Sequence, residues 1–374
     1  MNVPSYTTTI SPETDQLFMK RCLQLAANGK GSSMPNPMVG AVVVRNGVVI
    51  GEGWHQQAGL PHAEPVAIHA VKKEDWLRDS TLYVNLEPCS HYGKTPPCVD
   101  LIIDKQIPRV VIGTPDVFPL VSGRGIEKLL AAGIDVTVGV EVEACRELNR
   151  HFFTFHGLKR PYIVLKWAKT ADGFLDYIRG PENCNKQLMI STPFTRLLTH
   201  KMRSECDVIL VGTRTAVLDN PNLTVRDWHG RHPVRAVIDR RLSLSPGLNL
   251  FDGTVQTLVF TEEMAEDRPG VTFIKLDFGE KMVSQLLSVL YDRNLQTLLV
   301  EGGSILHNSF LETGLWDEIQ IETTNRCIQA GVKAPDITAI SKQDQSFRTF
   351  FEKDGIQSIQ TFRSTTSMDY NILA

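Results

Sequence analysis

Residues 62–98 read HAEPVAIHAVKKEDWLRDSTLYVNLEPCSHYGKTPPC, and this stretch decides the fold class of the N-terminal half. Its pattern predicts a helix in 63–73, a strand at Thr81–Leu86 and a second helix near 97–105. Such alternation of helices and strands predicts an α/β layered domain. Three candidate metal ligands stand at the ends of these elements: His62, Cys89 and Cys98.

One imidazole and two thiolates make three ligands of the kind that Zn²⁺ prefers, and they leave the fourth tetrahedral position for water. This is the donor set of a catalytic site, since a structural zinc site has four protein ligands. Glu64 lies close enough to His62 to reach a metal-bound water without being a ligand. Zinc lowers the pKa of that water toward about 7, so Glu64 is predicted to be the proton shuttle.

Each of these residues also has an ordinary interpretation. His62 could be a core or capping histidine, and the two cysteines could be small buried side chains. Taken together, they favour the metal site, with His62 at the helix entry and Glu64 in the first turn. If Cys89 opens a helix, the helix dipole would favour its thiolate.

The pair H-x-E and P-C-x-x-C is typical of zinc nucleobase deaminases. In this chain a longer segment, Ser90–Pro97, separates the two cysteines, so a loop is required between the ligands. Other polar residues lie near the site in the sequence and could contact a heterocycle or a phosphate, although turn or surface roles are the common alternative: Asn36, His55, His91 and Lys94.

N-terminal to this stretch, the spacing of apolar residues predicts a first helix at 13–28. It also predicts a hairpin of Val39–Val44 with Val48–Ile50, joined by Asn46-Gly47. Downstream, it predicts strands and helices in alternation: Arg109–Ile112, 124–132, Ile134–Val138 and one last helix, Val142–Phe155. The run GLKRP at 157–161 is turn-like, and the domain boundary is placed there, giving 1–157 and 158–374.

The second half alternates again, which predicts a second α/β domain. The predicted elements are Tyr162–Trp167, Thr195–Arg203, Val208–Val211, Val234–Ile238, Thr257–Phe260, Lys281–Leu290, Thr297–Val300, Ile305–Leu311 and Glu318–Glu322. Gly302-Gly303 follows a strand and precedes a helix, where backbone N–H groups can approach a phosphate closely. A G-x-G-x-x-G motif after a strand is missing, so a Rossmann cofactor site is not indicated.

Composition narrows the class of protein. The 374 residues carry a net charge of −3, which disfavours a nucleic-acid partner. No segment has the roughly 20-residue apolar run of a membrane span, and the N-terminus does not resemble a secretory signal, so a soluble cytoplasmic protein is expected. The 7 scattered cysteines are odd in number, which predicts reduced thiols.

Several motifs carry a resemblance to a known family. The runs MPNPMVGAVVV, GEGWHQQAGLPHAEP, VNLEPCSHYGKTPPC and VSGRG resemble the deaminase domain of the bifunctional riboflavin-biosynthesis deaminase/reductase family. The runs LKWAKTADGFLD, HKMRSECDVILVGTRTAVLDNPNLTVR and LLVEGGSILHNSFL resemble its reductase domain. The resemblance spans roughly residues 15–325 and implies a cytidine-deaminase-like fold followed by a dihydrofolate-reductase-like fold.

The resemblance implies two successive reactions on one small phosphorylated pyrimidine. The first is zinc-dependent hydrolysis of the 2-amino group of 2,5-diamino-6-ribosylamino-4(3H)-pyrimidinone 5′-phosphate. The second is NADPH-dependent reduction of the ribosyl to the ribityl side chain. A homo-oligomer is also expected.

Residue roles follow by matching positions. The deaminase roles fall on His62, Cys89 and Cys98 for zinc, Glu64 for proton transfer, and Asn36, His55, His91, Lys94 and Asp116 for substrate. The reductase cofactor positions are Ala168, Met189, Thr215, Asp219, Gly302, Gly303 and Ser304. The reductase substrate positions are Arg203, Leu223, Arg226 and Glu301, whose two arginines also suit a phosphate by their planar forks.

Four positions depart from the family pattern. Met189 stands where tryptophan is usual near the cofactor, and Asn220 replaces the second aspartate of Asp-Asp-Pro. Ala41 replaces a common cysteine, and Phe118 stands where asparagine is frequent. Met189 motivates one alternative, in which the second domain binds but does not reduce. A second alternative, a deaminase of nucleic-acid bases, is opposed by the acidic charge balance.

Overall fold

The computed structural model describes residues 11–92, 96–117, 122–180, 186–338, 340, 345–352 and 355–364. The chain divides into two compact units, Met1–Gly157 and Leu158–Ala374. Among the described residues, no helix is both long and apolar enough to cross a membrane.

The first unit is built on a five-stranded sheet of order β2-β1-β3-β4-β5. Its strands are β1 Gly40–Arg45, β2 Val48–Trp54, β3 Thr81–Val84, β4 Arg109–Ile112 and β5 Asp135–Val138. The pairs β1/β2 and β1/β3 are antiparallel, whereas β3, β4 and β5 are parallel. The helices are α1 Pro12–Ala26, α2 Ala63–His69, α3 Cys98–Asp104, α4 Arg124–Ala131, α5 Val142–Leu148 and α6 Arg150–Leu158.

Alternation of side chains along the strands gives this sheet two buried faces. On one face Val43 and Val84 pack with residues of α2, α3 and α4, among them Ala67 and Ile102. On the other face Val42 and Tyr83 pack with α1 and α5. The sheet therefore lies between two helical layers.

The hairpin of β1 and β2 turns at Asn46 and Gly47, whose φ values are 50° and 75°. The predicted turn is confirmed, but β2 runs on to Trp54, and its prediction as Val48–Ile50 was too short. Gly51 and Gly53 resemble turn residues in the sequence, yet both lie in the strand because α2 packs directly on them. A Cβ atom at Gly51 would meet the Ala67 carbonyl oxygen at 2.3 Å.

The prediction of one helix over Val142–Phe155 was wrong, because α5 and α6 are separate helices. Asn149 lies between them with φ −104° and ψ 21°. Its side chain binds a distant loop: Oδ1 accepts the N–H of Met38 at 2.8 Å, and Nδ2 donates to the Met38 carbonyl at 2.9 Å. This long-range contact interrupts a pattern that is helical by spacing alone.

The second unit contains a nine-stranded sheet of order β11-β10-β9-β8-β12-β6-β13-β16-β15. The strands are β6 Tyr162–Lys169, β7 Phe174–Asp176, β8 Val208–Val211, β9 Val234–Ile238, β10 Thr257–Thr261, β11 Val271–Lys275, β12 Thr297–Val300, β13 Glu318–Thr324, β14 Val332–Lys333, β15 Gln345–Glu352 and β16 Gly355–Arg363. Strands β11 to β13 in this order are parallel, and β16 and β15 add antiparallel pairs. Strands β7 and β14 form a separate pair.

The helices of the second unit are α7 Pro193–Ser204, α8 Thr213–Asp219, α9 Met282–Asp292 and α10 Ser304–Thr313. Helices α9 and α10 pack on one face of the sheet through residues such as Leu286 and Phe310. Ala216 of α8 packs on the other face. The sequence did not predict α8, β7, β11 or the strands after β13.

Candidate functional site

His62, Cys89 and Cys98 converge at one point of the first unit. The His62 Nδ1 atom lies 3.5 Å from Cys89 Sγ and 3.4 Å from Cys98 Sγ. All three ligand atoms lie within 4.8 Å of one another. The structure thus brings together an imidazole nitrogen and two sulfurs at the separation that one metal ion requires.

Local structure explains this convergence. His62 is the N-cap of α2, and Cys98 is the first residue of α3. The expectation that Cys89 opens a helix was wrong, because α3 begins at Cys98. Cys89 is nevertheless bound to the start of α3, since its sulfur accepts the Cys98 N–H at 3.3 Å and its carbonyl accepts the Val99 N–H at 3.2 Å. The residues at the start and at the end of the loop between the two cysteines are therefore hydrogen-bonded to each other.

The two thiols have opposite electrostatic environments. The Cys98 thiol and His62 donate to Cys89 Sγ, and these bonds hold the pKa of Cys89 well below its ordinary value although burial opposes them. The pKa of Cys98 is raised, because its proton is held by Cys89 and because it is buried beside Glu64. The pair thus already favours one thiolate, which is the form that ligates a metal.

Glu64 lies in the first turn of α2 and is only 3% exposed. Burial, with the nearby Cys89, raises the pKa of its carboxyl group to about 7. Its Oε2 atom is buried and has no hydrogen-bond partner among the described residues. A carboxyl group with this pKa can accept and release a proton near neutral pH.

The cluster fits zinc on the evidence of its own atoms. The donor set is one nitrogen and two sulfurs, which leaves one tetrahedral position open. Beside it, the unpartnered Glu64 oxygen marks a polar position that a zinc-bound ligand would satisfy.

Asn36 and His55 form a hydrogen-bonded pair beside the metal cluster. The His55 Nδ1 atom lies 3.1 Å from the Pro61 carbonyl, so it carries the proton, and Nε2 accepts from Asn36 Nδ2 at 3.0 Å. The His55 and His62 rings are 5.4 Å apart and nearly perpendicular. Burial lowers the pKa of His55, which favours this neutral form.

Two buried asparagines hold the loop that carries Asn36. Asn85 Nδ2 donates to the Met38 carbonyl at 3.1 Å, and its Oδ1 accepts the Gly40 N–H at 2.8 Å. Asn149 binds Met38 from the other side. The position of Asn36 therefore depends on residues far from it in the sequence.

Glu87 is a functional residue that sequence reasoning missed. Its buried carboxylate accepts four backbone N–H groups: Oε2 from Asp116 and Gly123 at 3.1 and 3.0 Å, and Oε1 from Gly125 and Ile126 at 2.9 and 3.3 Å. Its position immediately before Pro88-Cys89 is the feature of the sequence that could have indicated a role for Glu87. Glu87 ties the segment of Asp116, a predicted substrate residue, to the cysteine turn.

Two further predicted substrate residues of this unit, His91 and Lys94, follow Cys89 in the sequence. His91 is half-buried in the loop that follows Cys89. Lys94 lies outside the described residues.

The second unit contains a cavity of about 840 Å³ at the carboxyl ends of its parallel strands. Nine of the predicted reductase residues line it: Ala168, Met189, Arg203, Thr215, Asp219, Arg226, Glu301, Gly303 and Ser304. Gly302 and Leu223 do not line it. Leu223 is buried in the core with φ 51°, so its side chain faces away from the cavity.

Two ion pairs fix the polar wall of the cavity. Arg203 and Glu301 bind through two contacts, Nε to Oε1 at 2.8 Å and Nη2 to Oε2 at 2.5 Å. Burial alone would raise the pKa of Glu301, but the opposing effect of Arg203 is larger, so the pKa of Glu301 is lowered.

The second ion pair contains Lys166, which the sequence reasoning missed. Its Nζ atom lies 3.7 Å from Glu322. Glu322 also accepts bonds from Ser191 and Thr195.

Arg179 is a second missed residue on the cavity wall. It is buried and forms ion pairs with Asp176 and with Asp219, a predicted cofactor residue. Burial raises the pKa of Asp219, although Arg179 opposes this shift. In this chain Asp219 is therefore ion-paired with an arginine, which the resemblance did not imply.

Three of the four departures from the family pattern lie among the described residues, and Phe118 lies outside them. Ala41 is buried in β1. Met189 lies on the cavity wall and is 50% exposed. Asn220 ends α8 in the left-handed conformation, with φ 39°. Its Oδ1 accepts the Asn249 N–H at 2.8 Å, so this asparagine has a structural role.

The turn Gly302-Gly303-Ser304 connects β12 to α10. Gly303 has φ 78°, and a Cβ atom at Gly302 would meet Thr215 Oγ1 at 3.0 Å. Among the described residues, none accepts a hydrogen bond from the backbone N–H groups of the three turn residues. Free N–H groups at the start of a helix suit a phosphate.

Comparisons with known proteins find a match for each unit of the chain. Residues 12–114 match the cytidine and deoxycytidylate deaminase zinc-binding region, and residues 161–324 match the RibD C-terminal domain. Riboflavin biosynthesis protein RibD of Aquifex aeolicus (strain VF5) is 40% identical over 87% of this chain and 91% of its own. The protein of the same name from Synechocystis sp. is 37% identical over 86% of this chain and 87% of its own.

A solved structure from Thermotoga maritima, a diaminohydroxyphosphoribosylaminopyrimidine deaminase/5-amino-6-(5-phosphoribosylamino)uracil reductase, superposes with a TM-score of 0.81. It is 37% identical and covers 94% of this chain and 99% of its own. Acinetobacter baumannii RibD (form 1) gives a TM-score of 0.80 at 28% identity, with 95% and 100% covered.

The fold and the two sites define a bifunctional enzyme that joins a cytidine-deaminase-like hydrolase to a dihydrofolate-reductase-like oxidoreductase. Its cofactors are zinc and NADPH. The chain belongs to the RibD family of riboflavin biosynthesis proteins.

Proposed function

We propose that residues 1–157 deaminate 2,5-diamino-6-ribosylamino-4(3H)-pyrimidinone 5′-phosphate and that residues 158–374 reduce the ribosyl side chain of the product to ribityl. The observation that supports this proposal best is the convergence of His62, Cys89 and Cys98 beside Glu64, whose Oε2 atom has no hydrogen-bond partner among the described residues. The similar Thermotoga maritima protein is named for the same pair of reactions, a deamination and a reduction.

The metal ligands in this proposal are His62 Nδ1 and the two cysteine sulfurs. Zinc held there supplies a Lewis acid that lowers the pKa of a water molecule. Glu64 takes one proton of the attacking water and delivers it to the ring nitrogen. It then takes the second proton, from the newly added hydroxyl group, and delivers it to the departing amino group. Water and the amino-pyrimidine thus become the oxo-pyrimidine and ammonia, with Glu64 restored.

Substrate positioning in the first unit falls to the surrounding polar residues. His55 fixes the Asn36 amide by accepting from Nδ2, which leaves Oδ1 to accept from a donor on the pyrimidine edge. Asp116 is held near the site by its N–H bond to Glu87. His91 and Lys94 are proposed to bind the remaining polar groups of the substrate.

In the second unit, the cofactor is proposed to bind along Ala168, Met189, Thr215, Asp219 and the turn Gly302-Gly303-Ser304. The free N–H groups of that turn suit the pyrophosphate. When bound, NADPH would supply a hydride to C1′ of the open-chain sugar, where C1′ is double-bonded to the 6-amino nitrogen of the pyrimidine. The hydride makes C1′ a CH₂ group and the nitrogen takes up one proton, which gives the ribitylamino side chain and NADP⁺.

The substrate of the second reaction is proposed to lie against Arg203, Leu223, Arg226 and Glu301. Arg226 is exposed at the cavity rim, and its backbone is fixed because its N–H donates to His200 Nδ1 at 3.0 Å. Its guanidinium suits the phosphate of the substrate. Leu223 is proposed to act through its backbone, since its side chain is buried.

The enzyme is proposed to act in the cytoplasm as a homo-oligomer on this small phosphorylated pyrimidine, without a nucleic-acid or membrane partner. The net charge of −3 agrees with the exclusion of nucleic acid.

The test is one assay of the full chain with two readouts. Purified protein, with its zinc content measured, is given the diaminopyrimidine phosphate, and ammonia release and NADPH oxidation are followed. Both reactions are expected. Ammonia release without NADPH oxidation on the deaminated product would show that the second unit only binds, and the lack of both with zinc bound would refute the proposal.

A further inference from the structure

His307 is a buried residue of α10 that the reactions above leave without a role. It is 1% exposed, lies one helical turn after Gly303, and lies at the wall of the reductase cavity. Its ring packs against Trp167, with 5.0 Å between the ring centroids. A polar side chain buried in this place needs hydrogen-bond partners.

Two of its partners are backbone carbonyls of the segment 300–303, which leads into the Gly302-Gly303-Ser304 turn, and the backbone of Lys166 is a third. The His307 Nδ1 atom lies 3.0 Å from the Gly303 oxygen, and Nε2 lies 3.1 Å from the Val300 oxygen. Val300 ends β12 and Gly303 caps α10, so the ring spans the strand end and the helix start. A neutral imidazole donates to one of the two carbonyls at a time, and each tautomer makes one of the two bonds.

Gly302 in the same turn packs against other atoms. A Cβ atom at Gly302 would meet Thr215 Oγ1 and Val211 Cβ at 3.0 Å. The turn is thus contacted by Thr215 at Gly302 and by His307 at Gly303. Gly303 adopts φ 78°, and its orientation determines where the N–H groups of Gly303 and Ser304 point.

We propose that His307 is a positioning residue for the reduction. It orients the Gly302-Gly303-Ser304 turn through the Val300 and Gly303 carbonyls, and so aims the turn's N–H groups at the phosphates of the cofactor. This inference rests on the proposed function, since it requires NADPH to bind at the turn. His307 itself touches neither the hydride nor the carbon that receives it.

Three substitutions of His307 test its two carbonyl contacts one at a time and together. His307→Asn places an amide N–H₂ near the Nδ1 position and keeps the Gly303 contact, whereas His307→Gln reaches the Nε2 position and keeps the Val300 contact. His307→Phe keeps an aromatic ring but has no N–H group, so it can donate to neither carbonyl. Phe310→Leu is the matched control, because Phe310 is buried in the same helix and packs in the core.

The experiment measures NADPH affinity by titration, KM for NADPH and kcat of the reduction, and deamination by the same full-length protein. His307→Phe is expected to raise Kd and KM about tenfold, the loss of one hydrogen bond, with kcat changed by less than about twofold. His307→Asn or His307→Gln is expected to restore affinity in part. Phe310→Leu should leave Kd unchanged, and deamination should be normal throughout.

Two results overturn the inference while the proposed function stands: unchanged NADPH affinity in all three His307 variants, or a fall in kcat at constant Kd. A fall in affinity in Phe310→Leu equal to that of His307→Phe would also overturn it, because the effect would then be general to α10. If the wild-type chain itself binds no NADPH, the proposed reductase function fails first.

Discussion

Arg203 and Glu301 form a two-contact ion pair in the wall of the reductase cavity, with 2.8 Å between Nε and Oε1 and 2.5 Å between Nη2 and Oε2. Both side chains are about nine-tenths buried, with side-chain exposures of 12% and 10%. The charge of each residue is therefore compensated mainly by the other.

Removal of one member of this pair should be costly. Arg203→Met leaves the Glu301 carboxylate buried and unpaired, so the free energy of unfolding of the second unit should fall by about 3–5 kcal/mol. The double variant Arg203→Met/Glu301→Gln should lose less, because no charge stays buried alone. Denaturant unfolding of the three proteins measures both effects, and equal loss in the single and double variants would contradict the pairing.

Glu64→Gln should separate metal binding from chemistry. The amide keeps the size of the side chain but cannot accept a proton, so deamination should fall by about 10²–10⁴-fold. Zinc content should be unchanged, and so should the reduction of deaminated substrate, which serves as the internal control for folding. Turnover close to that of the wild type would remove Glu64 from the proton-transfer role.

Glu87→Gln should weaken the first unit and its substrate binding. Glutamine has one acceptor oxygen, so two of the four backbone N–H groups lose their acceptor, at about 1–3 kcal/mol each. We expect a lower unfolding midpoint and a higher KM for the diaminopyrimidine. Glu127→Gln, a change on α4 without these contacts, is the control. An unchanged KM would show that the loop of Asp116 is held by other contacts.

Stability of the second unit should depend on pH through His307. Burial lowers the pKa of its imidazole to about 4 from the ordinary 6.5, the carbonyl contacts oppose this, and Lys166 adds a smaller lowering. Between these values the unfolded chain binds more protons than the native one, so the free energy of unfolding falls as pH falls from 6.5 toward 4.

The lowered pKa of His307 contributes about 3 kcal/mol to the free energy of unfolding, and this contribution is lost as the pH falls toward 4. In His307→Gln this part of the pH dependence should disappear. Unfolding curves of the two proteins at a series of pH values give the comparison, and parallel curves would contradict the prediction.

Met189→Trp should strengthen cofactor binding. Met189 is half exposed on the cavity wall, at the position where the family usually has tryptophan. An indole adds a flat apolar surface worth about 0.5–1.5 kcal/mol against a cofactor ring, so Kd for NADPH should fall by about threefold to tenfold. Titration of both proteins measures it. A weaker affinity in Met189→Trp would show that this chain packs its cofactor differently.

The sequence predicted elements well where local pattern decides the structure. Strands β4, β8, β9 and β12 have the predicted bounds, because each is a short buried run of β-branched and aliphatic residues. The metal cluster was also predictable, since His62, Glu64 and the two cysteines are unusual as a set.

Prediction failed where distant contacts override local pattern. Gly51 and Gly53 resemble a turn but lie in β2 because α2 packs on their backbone. Asn149 ends α5 because its side chain binds Met38, which the helical spacing cannot reveal. Arg179 was missed because its partners Asp176 and Asp219 become neighbours only in the folded cavity.

The break at Asn149 also limits how this enzyme could be divided into separate proteins. Asn149 lies eight residues before the end of the first unit, yet it supports the loop that presents Asn36 to the pyrimidine. A deaminase fragment truncated upstream of Asn149 would keep every proposed zinc ligand and still lose a support of its substrate pocket. Gene fission or engineered splitting of this chain must therefore keep Asn149 with the deaminase.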